Sequence, residues 1–332
     1  MAVTLAGVVL ATLVILGYLT FIWWLDRYER EPLWIIALVF LWGGVGGTCL
    51  GCIVSLPLIA IGEALPLGLR PEVISSVLVA PFAEEFTKAL VFIPLVLTHH
   101  FDNETDGLIY GAAAGLGFAA VENLLYYMNA MQGGADAVFR LIVMRTFFTA
   151  LVHCISSSII GMAIGYARHR SGSARWLIYP VLGYVVAVVN HAIWNGAAVY
   201  AGLPILSENT RGVIFTAALG VVVIAAITMF LLTQYSLDRE HEVIRRFLKK
   251  EAERGTLPEK HAEIIPFWTK RRKSGWLPEG VPRQEYVRAA TLLAFRHYQL
   301  EIAEGERRRE YNEDIARYRE EIRDMLEGVS PG

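Results

Sequence analysis

The sequence predicts an all-α polytopic membrane protein, a bundle of about seven transmembrane helices followed by a charged, largely helical C-terminal cytoplasmic tail. Three observations predict it. With 55% hydrophobic residues and a mean hydropathy of +0.43, the 332-residue chain is too apolar for an ordinary soluble domain. Seven apolar segments reach the roughly 20 residues a helix needs to cross hydrocarbon. The charge is also uneven: residues 1–235 hold only 10 of the 30 Lys and Arg, leaving 20 for residues 236–332. Residues 1–235 therefore read as a membrane domain and 236–332 as a water-exposed tail. The net charge of −2 gives no reason to expect a nucleic-acid partner.

The first segment, near 3–25, has no basic residue before it and is followed by Arg27 and Arg30. That flank argues against a cleaved signal peptide and places the N-terminus outside. The second (33–61) carries Gly43, Gly47 and Gly51 in a small-xxx-small row, where backbones approach closely. Its Cys49-x-x-Cys52 pair has no second pair to complete a zinc site, so both cysteines read as small packing residues. The third (73–98) contains Glu84, Glu85 and Lys88. The fourth (107–128) repeats the glycine row at Gly107, Gly111 and Gly115 and then carries Phe118, Glu122 and Asn123. Arg145 and His153 lie in the fifth (141–167), His191 and Asn195 in the sixth (176–200), and the seventh spans 212–235. Alternation from an external N-terminus puts Arg168, Arg170 and Arg175 inside with the tail, whose basic run includes Arg245, Arg246, Lys249, Lys250 and Arg271 to Lys273. The protein is thus expected to be a multi-pass cell-membrane protein with a cytoplasmic tail. In that tail, 237–254 continues the last helix, 258–282 is an ordered loop, and 285–303 and 306–326 form a solvated helical hairpin.

Ionisable groups in hydrocarbon cost several kcal/mol, and they usually face a wet cavity with work to do. At 1.5 Å of rise per residue, Glu84, Glu122, His153 and His191 all lie about 10–18 Å from the outer ends of their helices. Four segments of alternating direction thus bring them to one level, in the outer half to the midplane of the bilayer. Within the third segment either Glu84 or Glu85 can reach Lys88, being four and three residues away. The other carboxylate then points elsewhere.

Pro81 to Lys88 (Pro-Phe-Ala-Glu-Glu-Phe-Thr-Lys) resembles the EExxK motif of the PrsW family of intramembrane proteases. Asp106 to Asn123 resembles that family's glycine-rich FxxxE motif, ending at Glu122. His191 to Asn195 is similar to its HxxxN-like motif, Arg145 to His153 to the one between, and Leu25 to Pro32 to its first loop. The order is the same, and the likeness covers residues 20–235. It implies a glutamic-type peptidase, distantly related to the CAAX prenyl endopeptidases, that cuts membrane-anchored anti-sigma-factor-like proteins near the outer face. Carried onto these positions, Glu84 or Glu85 is the base that activates water. His191 and Asn195 stabilise the tetrahedral intermediate, His153 assists, Glu122 completes the catalytic set, and Lys88, Asn123 and Arg145 support it.

The expected partners are a membrane-anchored protein substrate and the bilayer, with no cofactor and no nucleic acid. Two other readings stay open. Glu and His from four helices could ligate Zn²⁺ with an open position, although no HExxH is present. A transporter or scaffold also keeps acids in the membrane, but no internal repeat with broken helices supports it.

Overall fold

The computed structural model describes residues 2–98, 100–130, 134–168, 175–303 and 305–328, and these are helical with no strand among them. Arg170 lies outside the described residues. The described residues form two compact units, one within Met1–Leu25, Glu31–Arg168 and 175–233, the other of Asp26–Arg30 and the described chain from Gln234.

The first unit is a bundle. Helix α1 is Ala2–Leu25, and α2 is Leu33–Ala64 with a π-helical stretch at Trp42–Gly47. Helix α3 runs 71–89 through Pro71–Val73, a π stretch Ile74–Val79, and Ala80–Ala89. A short α4 (Phe92–Leu95) follows, then α5 (Glu104–Ala130), α6 (135–168, π-helical at Arg145–Thr149), α7 (Arg175–Ala201) and α8 (Glu208–Glu253). Residues of α8 up to Thr233 belong to this unit. Leu13, Leu38, Ile53, Leu177 and Ile224 stand exposed on the outsides of these helices, as residues facing acyl chains would.

Six helices among the described residues are long and apolar enough to cross a membrane: α1, α2, α5, α6, α7 and α8. The expected third spanning helix differs. Its helix stops at Ala89, and a turn at Leu90 and Val91 leads into α4. Pro94 explains the stop, because it offers no N–H and its ring clashes with the carbonyl four residues back, that of Leu90. Cys49 and Cys52 also depart from expectation: both are exposed, not packed inside, whereas Cys154 is buried.

Helix α5 sits centrally, touching α1, α2, α3 and α6, and its residues from Thr105 to Ala119 are all buried. The glycine row explains how. A Cβ at Gly107, Gly111 or Gly115 would lie 2.0, 2.4 or 2.2 Å from the backbone oxygen of Gly161, Ser157 or His153 on α6. No side chain fits there, so the two backbones meet directly and van der Waals contact holds them. Gly43 of α2 similarly backs onto the Ala114 carbonyl, while Gly47 and Gly51 face Lys88 and Thr87 of α3.

The second unit is more than a solvated hairpin. The end of α8, two short helices α9 (Glu259–Ile264) and α10 (Trp268–Arg271), and the long α11 (Arg283–Ile302) and α12 (Gly305–Glu327) enclose Ile244, Leu248, Ile265, Tyr286, Leu293 and Ile322, all fully buried. Glu251 accepts two hydrogen bonds from Arg319 at 2.8 and 2.6 Å, and the buried His261 Nδ1 lies 2.8 Å from the Tyr286 hydroxyl.

Candidate active site

Helix α3 presents its two acids differently. Glu85 is fully buried. Its Oε1 accepts from Lys88 Nζ at 2.6 Å and from His191 Nδ1 at 2.8 Å, and its Oε2 from the Ser157 hydroxyl at 3.1 Å. Glu85 is thus the acid that pairs with the lysine, three residues on. Glu84, turned by about 100°, is the one left over. Its Oε2 is buried, has no hydrogen-bond partner among the described residues, and lies 3.8 Å from His191 Nε2.

From Lys88 a chain of polar contacts runs across the bundle. Lys88 Nζ lies 3.1 Å from His153 Nδ1 and 4.6 Å above the Phe118 ring. His153 Nε2 lies 2.8 Å from Glu122 Oε2, which also takes the Arg145 guanidinium at 2.6 Å. Arg145 Nε donates to Asn123 Oδ1 at 2.9 Å, and the Asn123 amide returns a bond to the Arg145 carbonyl at 3.3 Å. Donor and acceptor chemistry then fixes the tautomers. An ammonium only donates, so His153 accepts at Nδ1 and donates Nε2–H to Glu122. An ionised Glu85 only accepts, so His191 donates Nδ1–H and turns Nε2 toward Glu84. The two imidazoles meet edge to face, with ring centres 4.7 Å apart.

Four helices therefore bring Glu84, Glu85, Glu122, His153 and His191 into one cluster. Counted by formal charge, three carboxylates face two cations, and Glu84 is the acid in excess. Asn195 behaves differently, for a reason that lies in the π stretch of α3. The N–H of Ala80 bonds to the Ser75 carbonyl, five residues back. Continuing that pattern, the Ser76 carbonyl would need the N–H of residue 81, which is a proline and has none. The Asn195 amide supplies it, donating to the Ser76 carbonyl at 2.9 Å. Asn195 thereby ties α7 to α3.

Sequence reasoning missed Ser157. The run Ser156-Ser157-Ser158 inside an apolar segment was the available signal. Among the described residues, ligand atoms of Glu84, His153 and His191 also lie within 4.8 Å of one another, wider than the spacing around a bound zinc but close enough to test as a metal set.

Residues 31–232 match the family described as PrsW family intramembrane metalloproteases, more than half of the chain. The chain belongs to the PrsW family. Proteins named Protease PrsW are similar to it over about half of its length. The one from Oceanobacillus iheyensis is 27% identical over 186 residues, 54% of this chain and 77% of the relative. The Bacillus subtilis protein is 28% identical over the same shares, and that of Clostridioides difficile 25% identical over 51% and 69%. No solved structure matches the chain. This PrsW-family member is therefore an intramembrane protease, a multi-pass membrane protein acting on membrane-embedded substrates, and the cluster just described lies within the matched region.

Proposed function

We propose that the protein hydrolyses a peptide bond of single-pass membrane proteins, anti-sigma-factor-like in kind, near the outer membrane face, with Glu84 as the base that activates water. The observation that carries this reading is the unpartnered Glu84 Oε2 facing His191 Nε2 at 3.8 Å. That separation is short enough for one water to hydrogen-bond to both groups once the side chains part to admit it. Glu85 is the poorer base, since both its oxygens are occupied by Lys88, His191 and Ser157.

In this reaction the water oxygen attacks the scissile carbonyl carbon as Glu84 takes the water proton. Glu84 then passes that proton to the amide nitrogen as the C–N bond breaks, leaving a new carboxyl group and a free amine. His191 orients the water, and Glu85 orients His191. Lys88 and Arg145 neutralise Glu85 and Glu122, so that buried negative charge does not accumulate beside the base. Asn195 acts through its hold on Ser76. The expected sidedness is an external N-terminus and a cytoplasmic tail.

Glu84→Gln keeps the shape of the side chain but removes the proton acceptor. It is expected to abolish cleavage of a membrane-anchored substrate by the purified protein while leaving insertion and folding intact. Wild-type turnover in that variant would end this reading.

The ligand-atom cluster favours a second reading, in keeping with the family's description as metalloproteases. Glu84 and His191 suit a divalent cation, because one offers an unpartnered oxygen and the other a nitrogen backed by a carboxylate. His153 joins them only by giving up Lys88 or Glu122. A cation held by these three would supply Lewis-acid polarisation and a more acidic water. Reversible loss of activity with a chelator, restored by Zn²⁺, would establish this reading over the first, and indifference to chelators would exclude it.

A further inference from the structure

We propose that Ser157 is a positioning residue for the hydrolytic reaction, because its hydroxyl locks the rotation of the Glu85 carboxylate that aims His191 at Glu84. The inference rests on the reading of Glu84 as the base. A serine within a membrane helix ordinarily returns its hydroxyl to a carbonyl of its own preceding turn. Ser157 does not: its hydroxyl crosses to α3 and donates to Glu85 Oε2 at 3.1 Å, and the residue is only 1% exposed.

The other Glu85 oxygen carries both remaining partners, Lys88 at 2.6 Å and His191 at 2.8 Å. Lys88 stands on the same helix, three residues on, and its three donors follow the carboxylate wherever it turns. Without Ser157, no other hydrogen bond from the described residues holds Oε2 against a rotation that gives both oxygens to the lysine and releases His191 Nδ1. The imidazole then loses both its tautomer and its aim.

The glycine row sets how far Ser157 can reach. The backbone of Ser157 lies where a Cβ on Gly111 would have to go, 2.4 Å from its carbonyl oxygen. The close α5–α6 approach thus fixes the depth of the hydroxyl on α6, and a packing motif becomes a determinant of the site's alignment.

The test compares wild type, Ser157→Ala, Ser157→Thr and Glu84→Gln as full-length protein in detergent micelles. A membrane-anchored substrate gives kcat and KM per folded molecule. ¹⁵N NMR of histidine-labelled protein, assigned by difference from a His191→Gln sample, gives the His191 tautomer. For Ser157→Ala we expect kcat to fall roughly tenfold or more, as for loss of a partner that orients a catalytic imidazole. KM should stay within about twofold of wild type, since no substrate contact is removed. The Nδ1–H signal of His191 should give way to a mixture, and Ser157→Thr should restore both kcat and tautomer. Wild-type kcat and an unchanged His191 signal in Ser157→Ala, with Glu84→Gln inactive, would overturn the role of Ser157 alone. A well-folded Ser157→Thr no better than Ser157→Ala would also overturn it. An active Glu84→Gln would remove the reading beneath it.

Discussion

At the residue scale, the adjacent acids Glu84 and Glu85 divide their work because they differ by one helical step. The acid that reaches Lys88 and His191 is spent on holding them, and the one rotated away keeps a free oxygen. A lysine beside a buried carboxylate is costly to lose. Lys88→Met removes the cation paired with Glu85 and the donor to His153 Nδ1, so it should lower thermal stability by about 3–5 kcal/mol. Most of the harm should therefore appear as lost folded yield in detergent, with the surviving protein's specific activity falling less than in Glu84→Gln. His191→Ala, by contrast, should fold and be almost inactive, because the imidazole beside Glu84 is gone while α7 keeps its anchor at Asn195. Unfolding curves and kcat measured on the same preparations separate the two outcomes.

At the element scale, two departures from the regular α-helix build the site. The π stretch Ile74–Val79 and Pro81 leave the Ser76 carbonyl short of a donor, and Asn195 supplies one. Asn195→Ala should therefore cost about 1–3 kcal/mol, the usual range for a buried polar group left unpaired. Adding Pro81→Ala returns an N–H to the helix, so the double variant should lose less than the sum of the single ones; strict additivity in thermal unfolding would contradict the link. The glycine row gives a second expectation. Gly111→Ala puts a Cβ against the Ser157 backbone with nowhere to move, and overpacking of this kind costs about 1–3 kcal/mol. The same change on the outward face, at Gly17 or Gly220, where a Cβ would meet no described atom beyond its own helix backbone within 4 Å, should leave the melting temperature unchanged or raise it slightly, since Ala is the better helix former.

At the scale of the whole molecule, the bundle and the second unit each have their own core. Burial holds the His261 imidazole in the second unit below its ordinary value, while the unfolded chain has the usual value near 6.5. The unfolded state then binds more protons between those two values, so the stability His261 lends is full above about 6.5 and drains away as pH falls below it. Amide protection along α11, corrected for the intrinsic exchange rate at each pH, should fall on acidification through that window, and His261→Gln should flatten the response. Reporter fusions test sidedness: activity is expected outside at the N-terminus and in the cytoplasm after residue 240. Both ends reporting one side would sink the expected topology.

The sequence by itself determined the class of molecule and singled out the ionisable residues that the bundle brings together. Hydrocarbon is intolerant of charge, so Glu84, Glu85, Lys88, Glu122, Arg145, His153 and His191 stand out in apolar segments, and helix rise alone predicts that Glu84, Glu122, His153 and His191 share a level. Glycine spacing likewise announced the α5–α6 contact, because a four-residue repeat without side chains marks a face. The tertiary structure decided what depends on distances between segments. It chose Glu85 over Glu84 as the partner of Lys88, directed the Ser157 hydroxyl across to α3, and gave Asn195 a backbone carbonyl. It also ended α3 at Ala89 and turned a charged tail into a unit with a buried core. Local pattern fixes which face of a helix a residue occupies. Which group lies opposite, and with which hydrogen-bonding capacity still free, is settled only when the helices pack.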